Sequence, residues 1–139
     1  MDGTENKEIV QDAFAELAEG NGRVFVDLLG DDIRWRIIGT TEWSGTWQGK
    51  EEVRRGLLDP LFAQFATPYR NRAIRLIAEG DHVVIECRGD VTTKAGRPYR
   101  NTYCYVCRMD GGKVRELTEY CDTELLTKAL TPPWAELAA

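Results

Sequence analysis

The sequence contains very little histidine and no long apolar stretch, and each absence excludes a class of protein. One histidine among 139 residues leaves no ligand set for a structural zinc site and no Ser–His–Asp arrangement. No apolar run approaches the roughly 18 residues that a membrane span needs. The opening segment, MDGTENKEIV, is polar and acidic, unlike a signal or transit peptide. We therefore expect a cytoplasmic protein with no membrane association and no metal.

The sequence also lacks a concentrated basic face. The net charge is −5, and adjacent arginines such as Arg54 and Arg55 have acidic residues nearby. Because neutralising phosphates requires clustered lysine and arginine, we expect no nucleic-acid partner. The apolar fraction of 42% and the charged fraction of 29% are those of an ordinary globular protein. The length predicts a single domain over residues 1–139.

Cysteine is present, but its spacing does not predict a disulfide or a metal site. Cys104 and Cys107 form a C-x-x-C within YCYVCRM, a β-branched and aromatic run typical of a strand. Residues three apart on a strand face opposite sides and lie about 10 Å apart, too far to share a bond or a metal. We expect all four cysteines to be reduced thiols.

Helical periodicity is found in the first half of the chain and near its end. Apolar residues recur at helical spacing from Ile9 to Leu17, and Gly20 then ends the pattern. Pro60 lies within the third predicted helix and should kink or split it. Residues 40–49 are expected to form a loop, with Trp43 and Trp47 capping the core. The predicted helices span residues 6–19, 23–29, 50–65 and 124–130.

From residue 69 onward the apolar residues alternate with polar ones, the period of β-strands. Glycine-containing turns separate the long strands and predict an antiparallel meander. Helices followed by a curved sheet indicate an α+β fold. Such a sheet bent around a helix leaves a cone that can hold a small molecule. The predicted strands span residues 32–39, 69–78, 82–93, 97–109 and 113–122.

One predicted strand carries a row of charges. Glu86, Arg88 and Asp90 are spaced two apart, so their side chains share one face, about 7 Å from one to the next. The row is either a solvated face with weak cross-strand ion pairs or an acid/base device lining a cavity. The opposite face carries Val83, Ile85, Cys87 and Val91.

Three segments together resemble the nuclear-transport-factor-2-like superfamily, and most closely its SnoaL-like and ketosteroid-isomerase-related branch. They are EWSGTWQGKEEV, AEGDHVVIECRGDVTTKAGRPYRNTY and DGGKVRELTEYCDT. The resemblance implies a cone-shaped α+β barrel, with the N-terminal helices packed in a strongly curved antiparallel or mixed sheet. It also implies chemistry without a cofactor, in a superfamily that includes isomerases, cyclases, epoxide hydrolases and non-catalytic binders.

The resemblance does not extend to the site of ketosteroid isomerases. Aligned by the surrounding pattern, their general-base aspartate corresponds to Ile37, their first-helix tyrosine to Ala13 and their third-strand aspartate to Tyr105. Because Ile37 cannot abstract a proton, the chain is not expected to be an isomerase of that type.

The catalytic residues of limonene-epoxide hydrolases match this sequence better than those of ketosteroid isomerases. Their Arg-x-Asp pair matches Arg88-Gly89-Asp90, and their last-strand aspartate matches Glu119, where related polyketide cyclases also keep an acid/base residue. In such hydrolases one carboxylate acts as base on a water, the other as acid on the epoxide oxygen, and arginine bridges them. Trp35 and Ile37 replace the water-holding tyrosine and asparagine, and Asn101 is a candidate substitute.

The resemblance therefore implies Asp90, Arg88 and Glu119 as catalytic residues, with Glu86 as a partner of Arg88 at the rim. Strand phase and the resemblance add further side chains expected to contact the substrate. These are Phe14, Trp35, Ile37, Asn101, Tyr103, Tyr105, Leu117 and Cys121.

We predict that the chain binds a small terpenoid-, steroid- or polyketide-like molecule in the cone. Epoxide hydrolysis, cyclisation or isomerisation are the expected reactions, and the alternative is a non-catalytic binding or scaffold protein of the same fold. A homodimer is expected, because the sheet's outer face is too apolar to remain wet. We assign Val83, Ile85, Cys87, Thr102 and Val106 to that outer face.

Overall fold

In this computed structural model, residues 2–135 form helices packed against one curved sheet; residue 1 and residues 136–139 of the predicted domain lie outside the described part. The α+β class and the cone-shaped architecture are confirmed. No described helix has the length and apolar character that crossing a bilayer requires. The helices are α1 (Gly3–Ala18), α2 (Arg23–Leu28), α3 (Lys50–Val53), α4 (Asp59–Phe62) and α5 (Thr123–Ala129).

The longest helix, α1, packs its apolar side against the inside of the sheet. It begins after Asp2, whose carboxylate accepts a hydrogen bond from the Glu5 N–H at 2.9 Å. It ends before Gly20, which adopts a φ of +87° that favours glycine. The buried apolar residues of α1 are Val10, Ala13, Phe14 and Leu17.

The seven strands form a single mixed sheet in the order β2-β1-β7-β6-β4-β3, with β5 paired to β4. The last four long strands form the predicted antiparallel meander, and β1 joins β7 in parallel. That parallel pair sets Ile37 directly beside Glu119. The strands are β1 (Leu29–Ile37), β2 (Gly45–Gln48), β3 (Arg70–Glu79), β4 (His82–Thr92), β5 (Pro98–Tyr99), β6 (Thr102–Asp110) and β7 (Lys113–Cys121).

Several element boundaries differ from the sequence prediction; the helix predicted at 6–19 spans Gly3–Ala18, and the strand predicted at 32–39 spans Leu29–Ile37. The predicted loop at 40–49 contains β2, whose Trp47 pairs with Trp35 in β1. The predicted strand at 97–109 is divided into β5 and β6, both of which pair with β4. The new strand β2 and the divided strand are both defined by backbone pairing, which the alternation of side chains along one segment does not encode.

The third predicted helix is split, as Pro60 suggested. Between α3 and α4 the chain makes a π-helical turn over Arg54–Leu58, where the Asp59 N–H bonds to the Arg54 carbonyl. Pro60 then follows in the first turn of α4, where its missing N–H removes no helical bond. The turn places Leu57 and Leu58 toward the core.

The register of β4 determines which of its faces is inside. Ile85 pairs with Tyr105 and Cys87 with Tyr103, and residues directly opposite in a ladder share a face. Val83, Ile85 and Cys87 are completely buried, so their assignment to the outer face is wrong. The predicted register of β4 against β6 differs from the observed one by one residue, and a shift of one residue exchanges the two faces of a strand. Thr102 and Val106 do lie on the outer phase of β6.

Gly89 also faces inward, and its missing side chain makes room for an aromatic ring. A Cβ at this position would lie 2.9 Å from Tyr69 Oη and 3.1 Å from Tyr103 Cε2. Both distances are shorter than ordinary carbon contacts, so a larger residue would have to displace a buried phenol.

We expect Gly89→Ala to lower the free energy of unfolding by about 1–3 kcal/mol, because the added methyl overpacks the interior. Arg88→Ala, at the adjacent outward position, is the control and should change it by less than about 0.5 kcal/mol. Urea unfolding monitored by tryptophan fluorescence measures both variants. Equal, small effects would contradict the inward position of Gly89.

Candidate functional site

A narrow apolar cavity lies between the concave face of the sheet and the helices. Its volume is about 70 Å³, below the roughly 300–1,000 Å³ of pockets that enclose drug-sized ligands. Its wall is mostly aliphatic and aromatic, and its polar groups come from Asn71, Glu119 and four tyrosines. The lining residues include Leu17, Phe25, Val26, Trp35, Ile37, Trp43, Leu57, Leu58, Leu61, Phe62, Tyr69, Asn71, Tyr99, Tyr103, Tyr105, Glu119, Leu126 and Leu130.

The cavity continues outward into a wider vestibule of about 400 Å³. Phe62, at the end of α4, is 41% exposed and borders both spaces. The vestibule adds Arg23 and Thr67 as polar groups at the entrance. The five lining residues common to both spaces are Leu17, Gly22, Val26, Phe62 and Tyr69.

Glu119 is the acidic residue of the cavity wall. Its side chain is buried, and its Oε1 accepts a hydrogen bond from Trp35 Nε1 at 3.2 Å. The parallel pairing of β1 with β7 positions this contact, because Trp35 lies two residues before Ile37, the direct neighbour of Glu119. One carboxylate oxygen is thus fixed by an indole, and within residues 2–135 no protein group donates to the other oxygen.

The environment of Glu119 favours its neutral form. Burial raises the pKa of Glu119 from 4.5 to about 7, while the hydrogen bond from Trp35 partly opposes the rise. No cation contributes to the shift. A carboxyl group with a pKa near neutrality can both donate and accept a proton, which is the property required of a general acid/base.

Four tyrosines border the same cavity: Tyr99, Tyr103 and Tyr105 are buried, and Tyr69 is half-buried. Burial raises the pKa of Tyr69, Tyr99, Tyr103 and Tyr105 above the ordinary value of 10. Hydrogen bonding with Tyr103 offsets part of the rise for Tyr69 and Tyr99. All four phenols therefore remain protonated at neutral pH and can donate hydrogen bonds.

Asn71 enters the cavity from β3. Its side chain is 1% exposed, and its Nδ2 donates a hydrogen bond to the Tyr69 hydroxyl at 3.0 Å. Its Oδ1 is buried without a hydrogen-bond partner in the described part of the chain. Most buried polar atoms are paired, and within residues 2–135 Asn71 Oδ1 is one of two exceptions, the other being Asn6 Oδ1.

Aromatic side chains reduce the volume of the cone. Phe25, Trp35 and Tyr105 lie in mutual contact, with ring-centroid separations of 6.2–6.5 Å. Phe14 packs behind them, 5.6 Å from Phe25 and 6.4 Å from Tyr105. These four aromatic side chains occupy part of the interior of the cone, and this explains why the inner cavity is small.

Five of the predicted site residues lie together in the cavity wall: Trp35, Ile37, Tyr103, Tyr105 and Glu119. The other predicted contact residues do not border the cavity, which corrects that part of the prediction. Phe14 and Leu117 are buried behind the wall, and Cys121 is only half-buried near the end of β7.

Asn101 is fully buried, but it supports the backbone and does not face the cavity. Its Nδ2 donates to the Tyr99 hydroxyl at 3.1 Å and to the Asp122 carbonyl at 3.0 Å. Its Oδ1 accepts from the Asp122 N–H at 3.1 Å. With these bonds made, it is not available to hold a water over Glu119, contrary to the sequence expectation.

Arg88 and Asp90 lie on the opposite face of the sheet from Glu119. Both are exposed, and Asp90 accepts a hydrogen bond from Arg100 Nε at 3.1 Å. Arg88 stands beside Arg72 on the outer surface. The prediction that Arg88, Asp90 and Glu119 converge on one site is therefore wrong. The alternation along β4 was predicted correctly, but the row that contains Arg88 and Asp90 was wrongly assigned to the concave face of the sheet.

Several cavity residues were missed from the sequence. Tyr69 and Asn71 alternate with Arg70 and Arg72, and this alternation was a signal that the tyrosine and asparagine share the face away from the arginines. Trp43 was predicted to cap the core. It is 1% exposed, borders the cavity, and donates from Nε1 to the Thr131 carbonyl at 2.9 Å.

The cysteines are all free thiols in the structure, as expected. Cys107 is buried while Cys104 is half-buried, because they face opposite sides of β6. The described residues contain no grouping of histidine, cysteine and acidic side chains arranged to hold a metal ion.

The pKa of Glu119 predicts a pH-dependent stability. The folded chain keeps this carboxyl protonated to about pH 7, whereas the unfolded chain ionises it near 4.5. Its contribution is thus favourable below pH 4.5 and is lost as the pH rises to 7, by about 3 kcal/mol. Glu119→Gln should lack this slope in urea unfolding between pH 4.5 and 7.5. Parallel pH profiles for the two proteins would disprove the raised pKa.

Comparison with known proteins agrees with this fold. Residues 10–117 match the SnoaL-like domain. An NTF2-like protein from Burkholderia xenovorans LB400 is 24% identical, with a TM-score of 0.69 and coverage of 94% of this chain and 99% of that one. An LEH-like epoxide hydrolase from M. tuberculosis is 20% identical, with a TM-score of 0.70 and coverages of 92% and 90%.

A candidate SnoaL-like polyketide cyclase from Jannaschia sp. CCS1 is 17% identical, with a TM-score of 0.73 and coverages of 96% and 95%. At these identities the structural likeness establishes the fold alone. A search of curated protein sequences found no match. The match over residues 10–117 covers most of the sequence and agrees with the cone described above: the chain belongs to the SnoaL-like domain family, within the NTF2-like fold.

Proposed function

We propose that the chain binds a small apolar molecule in the cone and moves a proton on it with Glu119 as a single acid/base residue. The observation that carries the proposal is the position of Glu119: buried in an apolar cavity, fixed by Trp35 on one oxygen, and titrating near neutrality. A lone carboxyl in such a site can take a proton from one atom of a ligand and return it to another.

The reaction that suits one carboxyl is isomerisation or cyclisation of a carbonyl compound. Ionised Glu119 takes a proton from the carbon beside a carbonyl, and the electron pair of that C–H bond moves to form an enolate. Protonated Glu119 then returns the proton to another carbon, which completes an isomerisation. If the enolate carbon attacks a second carbonyl instead, a ring closes and the proton goes to the new alkoxide. No oxidant or cofactor is needed.

The tyrosines support the enolate. Tyr103 and Tyr105 border the cavity with neutral phenols, and a neutral phenol donates a hydrogen bond to a developing oxyanion. The apolar wall excludes water, which strengthens such bonds. Glu119 would thus act as the base, and one or more tyrosines would stabilise the charge that it creates.

Epoxide hydrolysis by two carboxylates is less favoured by the geometry than the proton shuttle. Such a mechanism needs an acid and a base on either side of one substrate, but Asp90 is on the outer face. The LEH-like epoxide hydrolase from M. tuberculosis shares the fold, and so does the candidate polyketide cyclase. Between these two kinds of neighbour, the single buried carboxyl favours cyclase-like chemistry.

The second candidate function is binding without chemistry. The observation that favours it is the small inner volume of about 70 Å³, filled from the sides by Phe25, Trp35 and Tyr105. In that case the vestibule would hold most of the ligand, and Glu119 would serve only as a polar contact at its inner end.

Loss of Glu119 should separate these two functions. In D₂O the wild-type protein should accelerate exchange of the α-hydrogens of small aryl ketones, measured by NMR. Glu119→Gln should reduce the exchange at least about 100-fold, since it removes the only proposed base, while ketone binding persists. Asp90→Asn is the matched control and should leave the rate unchanged.

Three other results of these measurements would contradict the proposed role of Glu119 or favour an alternative function. Full exchange by Glu119→Gln would refute the proposed base, and loss of exchange in Asp90→Asn would restore the two-carboxylate site. Binding of the ketones by the wild type without any exchange would favour the non-catalytic alternative.

We further propose that the chain forms a homodimer through the outer face of the sheet. Ile77, Val84 and Val106 stand side by side in the ladder on that face, and Ile77 is 56% exposed. Arg72 and Arg88 occupy one end of the face, whereas Glu79 and the ion pair of Glu116 with Arg108 lie toward the other. A two-fold axis through the apolar row would place the arginines of one copy opposite the acids of its partner.

Sedimentation equilibrium tests the dimer directly. Ile77→Glu should shift the protein to a monomer by placing a charge in the centre of the proposed interface. Val24→Glu is the matched control, because Val24 is also an exposed apolar residue, at 38%, but lies on α2 away from the outer face. A wild-type monomer, or equal dissociation in both variants, would contradict this interface.

A further inference from the structure

The starting observation is the unpaired oxygen of Asn71. Asn71 Oδ1 is buried and has no hydrogen-bond partner among the described residues, although the side chain borders the cavity. The other end of the same amide is occupied, because Nδ2 donates to the Tyr69 hydroxyl at 3.0 Å. The amide oxygen is therefore an unpaired acceptor in the wall of the cavity.

The surroundings hold Asn71 in this orientation. Asn71 pairs directly with Gly89 across the β3–β4 ladder, so both face inward. The absent side chain of Gly89 leaves the space in which the Tyr69 hydroxyl lies. Tyr69 in turn receives the Asn71 amide hydrogen. The position of Asn71 Oδ1 is thus fixed by the β3–β4 pairing and by the hydrogen bond to Tyr69. Neither of them donates a hydrogen bond to this oxygen.

We propose that Asn71 Oδ1 accepts a hydrogen bond from a hydroxyl group on the ligand, so that the cone selects apolar alcohols or phenols. The inference rests on the proposed function, since it assumes that the cavity takes a ligand. It adds the chemical class: an apolar body that carries a hydroxyl at the point facing β3. Asn71 is a specificity-determining residue in this account and takes no part in proton transfer.

A hydroxyl fits this position better than other donors. An ammonium group would bring a charge into a cavity with an apolar wall, at a large desolvation cost. A primary amide would bring two N–H hydrogens, of which Asn71 Oδ1 would accept one and leave the other unpaired. A hydroxyl donates one hydrogen bond to Asn71 Oδ1 and can accept one from a neighbouring neutral tyrosine, so both of its polar functions are met. A site built to bond a hydroxyl discriminates strongly against the analogue that lacks it, because its own acceptor is then left unpaired.

The test compares two single-ring probes of nearly equal shape, p-cresol and p-xylene. Their dissociation constants for the wild type, Asn71→Leu and Glu119→Gln are measured by ligand-detected NMR titration. The preference for p-cresol over p-xylene should be about tenfold greater in the wild type than in Asn71→Leu. Glu119→Gln tests the other acceptor in the cavity, and Asp90→Asn, measured in the same way, is the control on the outer face that should keep the wild-type preference.

A second measurement needs no variant and covers the case in which Asn71→Leu fails to fold. In wild-type protein labelled with ¹³C and ¹⁵N, the Asn71 side-chain carbonyl resonance should shift with p-cresol and stay unchanged with p-xylene. Shifts of the same size with both probes would overturn the inference, because they would report ring binding without a hydrogen bond.

The remaining outcomes separate this inference from the proposed function. If Asn71→Leu keeps the preference for p-cresol, the hydroxyl is not bound by Asn71 and the inference fails while the proposed function stands. If Glu119→Gln alone loses the preference, the carboxyl binds the hydroxyl, and the inference again fails. If neither probe binds up to its solubility, the cavity does not admit a single ring, and the proposed function fails with the inference.

Discussion

The burial of one carboxyl group, Glu119, against a single indole N–H is the constraint on which the site depends. The parallel pairing of β1 and β7 carries Trp35 to within 3.2 Å of the carboxyl, and the surrounding aromatics exclude water from it. A buried carboxyl with one donor and no cation retains its proton to about pH 7. Burial of Glu119 therefore lowers the free energy of unfolding near neutral pH, and a destabilising ionisable group of this kind is typical of functional sites.

The rest of the interior is arranged around that group. Tyrosines from β5, from β6 and from the position just before β3 border the cavity, and Gly89 provides the space that one of them, Tyr69, occupies. Phe25, Trp35 and Tyr105 restrict the inner end, while the wider vestibule lies beneath the exposed ring of Phe62. The proton transfer and the hydroxyl recognition that we propose would thus involve different residues, Glu119 and Asn71, in the wall of one cavity.

Much of the architecture follows from local pattern, but the identity of the inner face does not. Alternation identified β4 and grouped Glu86, Arg88 and Asp90 correctly on one side. The alternation gave no information on which side of the sheet the helices cover. The resemblance to limonene-epoxide hydrolases implied that Arg88 and Asp90 face the cavity. The structure reverses this because Cys87 pairs with Tyr103. Pairing register depends on the turn and on contacts with distant strands, and a slip of one residue exchanges both faces.

The sequence by itself determined the α+β order, the meander, the division at Pro60, the free cysteines and the position of Glu119 on the cavity side of the last strand. These follow from periodicity, turn residues and a motif in the last strand, all of which act within a few neighbouring residues. Only the tertiary structure decided that Arg88 and Asp90 are excluded from the cavity and that Asn71 is included. Such choices depend on which side of the sheet α1 covers, because burial is a property of the packed chain and not of the segment.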